Sequence, residues 1–299
     1  MDRLQAMTVF VAVAEEEGFV RAARRLALSP PVVTRAVAGL EERIGTRLLH
    51  RTTRSVRLTE AGRRYLEDCR RILAEIEEAE DVAAGSHREP QGRLSVTAPV
   101  LFGRLHIAPI LLDFLGRHPR VSVRTLFVDR VVNLMDEGLD VAVRIAHLPD
   151  SGLTAVKVGS VRRLVCASPA YLAEHGVPQQ PDDLAHHRII AVQGVTPSPA
   201  WTFRAGDGEI TVRTSPRLEV NTADTAIAAA MQGHGLTRVL SYMVAADIAA
   251  GRLAVVLADY EPPPVPIHLV HREGRDASAR VRAFVDFAAH RLRAERALG

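Results

Sequence analysis

The sequence predicts an α/β protein overall, with an all-α winged helix-turn-helix head and a long linker helix ahead of a larger α/β domain. Three observations predict it. Two short helical patterns with a tight turn between them stand in the most basic part of the chain. One long amphipathic pattern follows without a break. Beyond a stretch containing Gly and Pro, strands and helices alternate, as in a mostly parallel sheet covered by helices. The 299 residues are too many for one ordinary domain and suit two or three. With 47% hydrophobic and 24% charged residues, the composition is that of a globular protein, not a disordered one. No apolar run reaches the roughly 18 residues that span a bilayer. The N-terminus enters a helical pattern with no signal-peptide core. A cytoplasmic protein without a membrane partner is therefore expected.

The head is read from its periodicity. Leu4, Met7, Phe10, Val11 and Ala14 form a helical stripe that Asp2 caps and Gly18 ends. A short helix from about Val20 to Leu26 turns Ala22, Ala23 and Leu26 inward. Ser29 is an N-cap candidate and Pro30 stands at the first helical position of the next helix, where its missing N–H costs nothing. That helix runs to about Ile44, with Val33, Val37 and Leu40 on one face. After Gly45 the period changes: residues 48–51 and 55–58 flank a polar tip, which reads as a small hairpin, the wing. Thr59 caps a long helix that reaches about Ala84. Its heptad seam of Tyr65, Cys69, Ile72, Ile76, Ala79 and Ala83, widened by Leu66 and Leu73, predicts a dimerising face. The domains expected are thus a head (1–59), a linker helix (60–85), a hinge (86–91) and an α/β domain (92–299).

In that last domain, strand 94–97, a helix at about 101–117, strand 121–128, a helix around 131–137 and strand 140–144 come first. A second set follows from about Cys166 to Pro266. It includes strand 188–192, a hairpin around Gly206-Asp207-Gly208, helix 222–232, strand 236–240 and helix 241–250. Strand 265–270 and a helix from about 277 to 293 close the chain.

Charge is placed unevenly. The whole chain carries a formal +3, yet residues 18–59 hold nine arginines against only Glu41 and Glu42. The remainder is net acidic. A basic module on an acidic chain is the footprint of a phosphate-backbone binder. In a helix-turn-helix the N-terminal residues of the second helix reach base edges. Here these are Pro30, Pro31, Val32, Thr34 and Arg35. Thr34 and Arg35 can hydrogen-bond a base or phosphate, whereas the prolines and Val32 offer apolar contact only. Much of the specificity then falls to DNA shape. Arg51, Thr52 and Arg54 of the wing would meet backbone or minor groove.

Catalytic chemistry finds no support. There is no Gly-x-Ser-x-Gly elbow, no phosphate loop and no full dinucleotide fingerprint, since Gly233-His234-Gly235 lacks a third glycine. His268 and His271 fall on opposite faces of a strand, and His186-His187 stands alone. No catalytic residue, metal ligand or cofactor is expected. The two cysteines, Cys69 and Cys166, give neither a disulfide framework nor a metal spacing.

Several runs together resemble LysR-type transcriptional regulators: residues 22–26, 29–35, 40–49, 51–54 and Leu58-Thr59-Glu60-Ala61-Gly62. Residues 93–99, 140–145, 166–172 and 233–236 are similar to that family's effector domain, so the resemblance spans the chain. It is strongest to a branch whose recognition helix begins Ser-Pro-Pro. Three positions depart from the family's pattern. Val20 replaces a capping Ser or Thr. Ala27 replaces a turn Gly or Asn, which argues against a left-handed backbone there. Pro30 replaces a base-reading Gln.

The resemblance implies a two-lobed domain like periplasmic binding proteins, with lobe I at 92–163 and 267–299 and lobe II at 164–266. A ligand cleft would lie between them. Helix starts at Thr97-Ala98-Pro99-Val100 and Asn221-Thr222 would suit a carboxylate. Val128, Asp129 and Arg144 are the other candidates, Arg144 pairing either with an anionic effector or with Asp129. The expected partners are double-stranded DNA at pseudo-palindromic promoter sites, a small-molecule effector, further copies of the chain as homodimer or homotetramer, and RNA polymerase. Effector binding would couple to DNA binding by about 1–3 kcal/mol. Two other readings stand beside this one: a constitutive DNA-binding repressor with no effector, and a small-molecule-binding α/β protein with a basic head.

Overall fold

The computed structural model describes residues 1–51, 56–83, 89–149, 152–193, 200–206, 208–272 and 277–298. It divides into two compact units, Met1–Arg88 and Glu89–Gly299. No helix among the described residues is long and apolar enough to cross a membrane.

The first unit packs helix α1 (Arg3–Glu15) against α2 (Phe19–Arg25) and α3 (Pro30–Ile44). Asp2 caps α1 through the Gln5 N–H at 2.7 Å. Between α1 and α2 the left-handed residue is Glu17 (φ 48°), not Gly18, which is extended and caps α2. Val33, Ala36, Val37 and Leu40 form the buried stripe of α3 at helical spacing. Ser29 stands at the N-cap, but its hydroxyl makes no capping bond. Gly45 ends α3 in the left-handed region (φ 77°), its N–H shared by the Glu41 and Glu42 carbonyls.

The chain then forms β1 (Leu49–Arg51) and β2 (Val56–Leu58), an antiparallel pair with Leu49 opposite Leu58. Glu41 fastens this hairpin to α3: its Oε1 accepts the N–H groups of Leu48 and Leu49 at 2.8 and 3.0 Å. Thr59 caps α4 (Glu60–Ala83) through the Gly62 N–H at 2.9 Å.

The seam of α4 corrects an expectation. Leu66 and Cys69 are buried in the head's own core beside Phe10 and Val13, and Tyr65, Ile72 and Leu73 pack on that core. Tyr65 stands 5.7 Å from the Phe10 ring. The first half of the seam is thus received by α1, and Cys69, fully covered in a single chain, has no surface to offer a second copy. Ile76 is half-buried, and the side chains of Ala79 and Ala83 lie outside the described residues.

In the second unit, β3 (Gly92–Ala98) leads through α5 (Val100–Phe102) and a π-helical turn (Gly103–Ile107) into α6 (Ala108–Arg117). Next come β4 (Val121–Phe127), β5 (Val141–Ile145) and β6 (Thr154–Val161). β7 (Arg163–Ala167), α7 (Pro169–His175), β8 (Ile189–Val192), β9 (Ala200–Ala205), β10 (Gly208–Arg213) and β11 (Pro216–Val220) follow. α8 (Ala223–Met231), β12 (Leu236–Leu240), α9 (Ser241–Ala249), β13 (Ala254–Val256), β14 (Val265–His271) and α10 (Ala279–Arg293) complete the chain. Two five-stranded sheets result, ordered β4-β3-β5-β14-β6 and β11-β8-β12-β7-β13, with β9 and β10 as a separate hairpin. β3 pairs in parallel with both β4 and β5, so from Leu94 onward it is buried on both faces. The chain crosses from the first sheet to the second between β6 and β7 and returns between β13 and β14, which gives two α/β lobes. One apolar cluster runs through both, joining Phe102 and Phe114 to Ile190 and Val239.

The predicted helix at 131–137 is absent. The segment forms turns in which Asn133 Oδ1 accepts the Met135 N–H at 2.9 Å, a local bond that competes with the helix. Gly138 leaves the turn at φ 60°. Arg130 and Glu137 close the segment with an ion pair of 2.6 Å.

Candidate functional site

The turn between α2 and α3 sets the presentation of α3. The Leu28 N–H reaches the Ala23 carbonyl at 2.9 Å and the Ala27 N–H the Arg24 carbonyl at 3.3 Å, the bond pair of a Schellman motif. Ala27 takes the left-handed conformation at φ 52°, against the sequence expectation. Two backbone bonds impose it, and the alanine Cβ carries the steric cost. Ala27→Gly is expected to stabilise the first unit by about 1 kcal/mol. Chemical denaturation would show it, and an unchanged midpoint would count against strain at this turn.

Along the first turn and a half of α3, Pro30, Pro31, Thr34 and Arg35 are exposed and Val32 is half-buried. Thr34 donates its hydroxyl to the Pro30 carbonyl at 2.9 Å, which leaves the oxygen as an acceptor. Arg35 touches its own helix only through Nε to the Pro31 carbonyl at 3.4 Å, so its guanidinium ends remain available. Arg51 closes β1, but its side chain lies outside the described residues, as do Thr52 and Arg54.

Arg21, Arg24, Arg43 and Arg47 are exposed on the same unit. Arg25 is committed elsewhere, with Nη1 at 2.9 Å from Glu15 and 3.3 Å from Glu16. Arg70 of α4 reaches Glu15 at 2.9 Å, so one carboxylate ties three helices together. Burial pushes the Glu15 carboxyl up, but the bonds and charges of Arg70 and Arg25 outweigh it and hold the group below its ordinary 4.5. A depressed carboxyl contributes stability above its unfolded value, lost as pH falls through the folded one. The first unit should therefore weaken below about pH 4.5, and Glu15→Gln should remove about 1 kcal/mol or less at neutral pH. Melting curves of both proteins against pH would converge in acid. Parallel curves would exclude this carboxylate as the cause.

In the second unit a cleft of about 780 Å³ opens between the two sheets. The predicted residues Thr97, Ala98, Pro99, Val128, Asp129, Arg144 and Asn221 line it; Val100 and Thr222 do not. The helix start in the first lobe is already capped. Asp129 Oδ1 accepts the Val100 N–H at 2.9 Å, so the protein's own carboxylate stands where one from a ligand was expected. Thr97 spends its hydroxyl on the Leu126 carbonyl at 2.6 Å. Asp129 and Arg144 do not form the pair that the sequence allowed. Arg144 donates instead to the Val132 carbonyl, and burial pulls its guanidinium down.

Sequence reading missed the other wall. Arg163, Trp201, Arg238 and Tyr242 all line the cleft. No short motif marks them, because β7, β9, β12 and α9 bring them together from distant parts of the chain. The cysteines are far from being sensors. Both are buried, and burial pushes the Cys69 thiol up to about 11 and that of Cys166 up to about 12.

The first unit thus exposes Thr34 and Arg35 on α3 and carries a hairpin, and the second unit holds a two-lobed cleft. Known proteins share both parts. Residues 4–63 match the family described as bacterial regulatory helix-turn-helix protein, lysR family, and residues 87–293 match the LysR substrate binding domain. The chain belongs to the LysR family. It is 35% identical over 289 residues to an HTH-type transcriptional repressor of Pseudomonas aeruginosa, covering 96% of this chain and 91% of that protein. It is similar to the structure of CrgA, a LysR-type transcriptional regulator from Neisseria meningitidis. There the TM-score is 0.62 at 33% identity, over 96% of this chain and 98% of that one. The full-length structure of the Vibrio cholerae virulence activator AphB shares the fold, with a TM-score of 0.62 at 24% identity over 97% of this chain and 99% of that one. This LysR-family chain is a DNA-binding transcriptional regulator with an effector-binding domain, not an enzyme.

Proposed function

We propose that this regulator responds to a small organic anion, a carboxylate, held between the two lobes. The supporting observation is the charge balance of the cleft. Arg144, Arg163 and Arg238 line it, and none of them forms an ion pair with a described carboxylate. The one lining aspartate, Asp129, is bonded to Val100. Uncompensated cations in a half-desolvated cleft favour an anionic occupant. An effector that binds one lobe arrangement better than another shifts the DNA-binding state by that difference in affinity. The reading extends to two-fold assemblies, dimer or tetramer, on pseudo-palindromic promoter DNA, to a cytoplasmic location, and to RNA polymerase as a contact at the promoter.

The test is thermal melting of the full chain with a panel of small carboxylates, each beside its neutral amide. Carboxylates should raise the melting temperature where amides do not. Equal effects from both, or none from the whole panel, would count against an anionic effector and favour a constitutive regulator.

A further inference from the structure

Of the three cleft arginines that form no ion pair with a described carboxylate, Arg238 is the one that lies against an aromatic ring. Arg238 lies within β12, and its guanidinium sits over the Trp201 ring, 4.9 Å from the centroid. Its one hydrogen bond in the described structure is a long one, Nη1 to the Thr202 carbonyl at 3.4 Å. The charge that acts on it most is Arg163, of like sign, and burial with Arg163 pushes the guanidinium down to about 10. Arg238 is half-buried, and a side chain chosen there for stability alone would be apolar, since a partly desolvated charge without a partner returns little. Nearby, Tyr242 is only 4% exposed and also lines the cleft, yet its hydroxyl has no hydrogen-bond partner in the described structure. Both side chains line the cleft, and both carry N–H or O–H groups with bonds to make.

A guanidinium is a planar fork that grips a carboxylate through two parallel N–H bonds. Contact with the Trp201 ring restrains this fork, so less freedom is lost on binding. The first lobe is the poorer anchor, because Asp129 already caps the helix start and repels a second anion. The rest of the lining is largely apolar, with Val128, Ile145, Val192 and Met243.

We propose that Arg238 is the carboxylate anchor of the effector site, with the Tyr242 hydroxyl bonding a second polar group of the same ligand. The ligand is then a small hydroxylated carboxylate with an apolar body, its charged end on the second lobe. This assignment rests on the reading of the cleft as an anion-binding site.

Trp201 is the sole tryptophan of the chain, so its emission reports directly on Arg238. The probe is mandelate, with mandelamide as its uncharged counterpart, titrated into the full-length protein to millimolar concentration. Mandelate should change the Trp201 emission saturably and mandelamide should not. Arg238→Gln should weaken mandelate binding by at least about tenfold, while leaving the melting temperature of the free protein unchanged or raised. Arg238→Lys keeps the charge without the fork and should recover only part of the affinity. Tyr242→Phe should weaken binding by a smaller factor. If Arg238→Gln binds mandelate as the parent does, and Arg144→Gln abolishes binding, the anchor is overturned while the anion-binding cleft stands. No response of emission or melting temperature to mandelate in the parent protein would overturn the anchor. If the wider carboxylate panel is also silent, the anion reading of the cleft falls with it.

Discussion

Gly62→Ala is expected to cost the first unit more than about 4 kcal/mol, most of what an ordinary domain has to lose. Gly62 lies in the first turn of α4, and a Cβ there would stand 2.0 Å from the Leu48 carbonyl oxygen and 2.9 Å from its carbon. Both partners are backbone, so no rotamer relieves the overlap. Leu48 cannot retreat easily. It is 1% exposed, its N–H is held by Glu41, and its carbonyl accepts the Thr59 N–H at 2.9 Å. Either α4 lifts from the hairpin or the hairpin leaves α3. Urea denaturation of the full chain should show an early transition for the first unit, with the transition of residues 89–299 preserved. Specific DNA binding should disappear with it. A parent-like transition and parent-like binding would mean that α4 does not press on Leu48 as described.

Arg35→Ala should weaken specific DNA binding by about 10- to 100-fold, the value of a lost base-edge contact. Arg35 is exposed, and its only hydrogen bond among the described residues is the long one within its own helix, so its removal should leave the melting temperature where it was. The comparison separates reading from folding: affinity falls, stability does not. If Arg35 grips a phosphate instead, binding drops uniformly across sequences and the salt dependence becomes shallower. Unchanged affinity together with an unchanged salt slope would remove α3 from the interface.

The head was legible in the sequence because its signals are local. The caps at Asp2 and Thr59, Pro30 at a helix start and the stripe of Val33, Val37 and Leu40 each act within a few residues of where they are read. Turn chemistry was less legible. Ala27 is left-handed because two backbone bonds require it, and nothing in an alanine announces that. The seam of α4 was read as a dimerising face, but a heptad stripe does not say what it packs against, and the first half of this one is received by α1 of the same chain. In the cleft, the residues at strand ends, such as Thr97 and Val128, followed from topology. Arg238 and Trp201 did not, since a long arginine on a strand and an aromatic on a hairpin meet only through the tertiary fold. Asp129 was placed correctly in the cleft, but its bond to Val100 reverses its meaning, from a partner of Arg144 to an occupant of the helix start.

The central claim is that the first unit reads a DNA sequence through α3. The most direct test is selection of bound fragments from random-sequence DNA by the full-length protein, followed by gel shifts of the enriched site across a salt series. The account predicts enrichment of one pseudo-palindromic site, bound with an affinity that falls steeply as salt rises and that Arg35→Ala reduces. A pool that stays as random as it began, or a site bound equally well by Arg35→Ala, would contradict it.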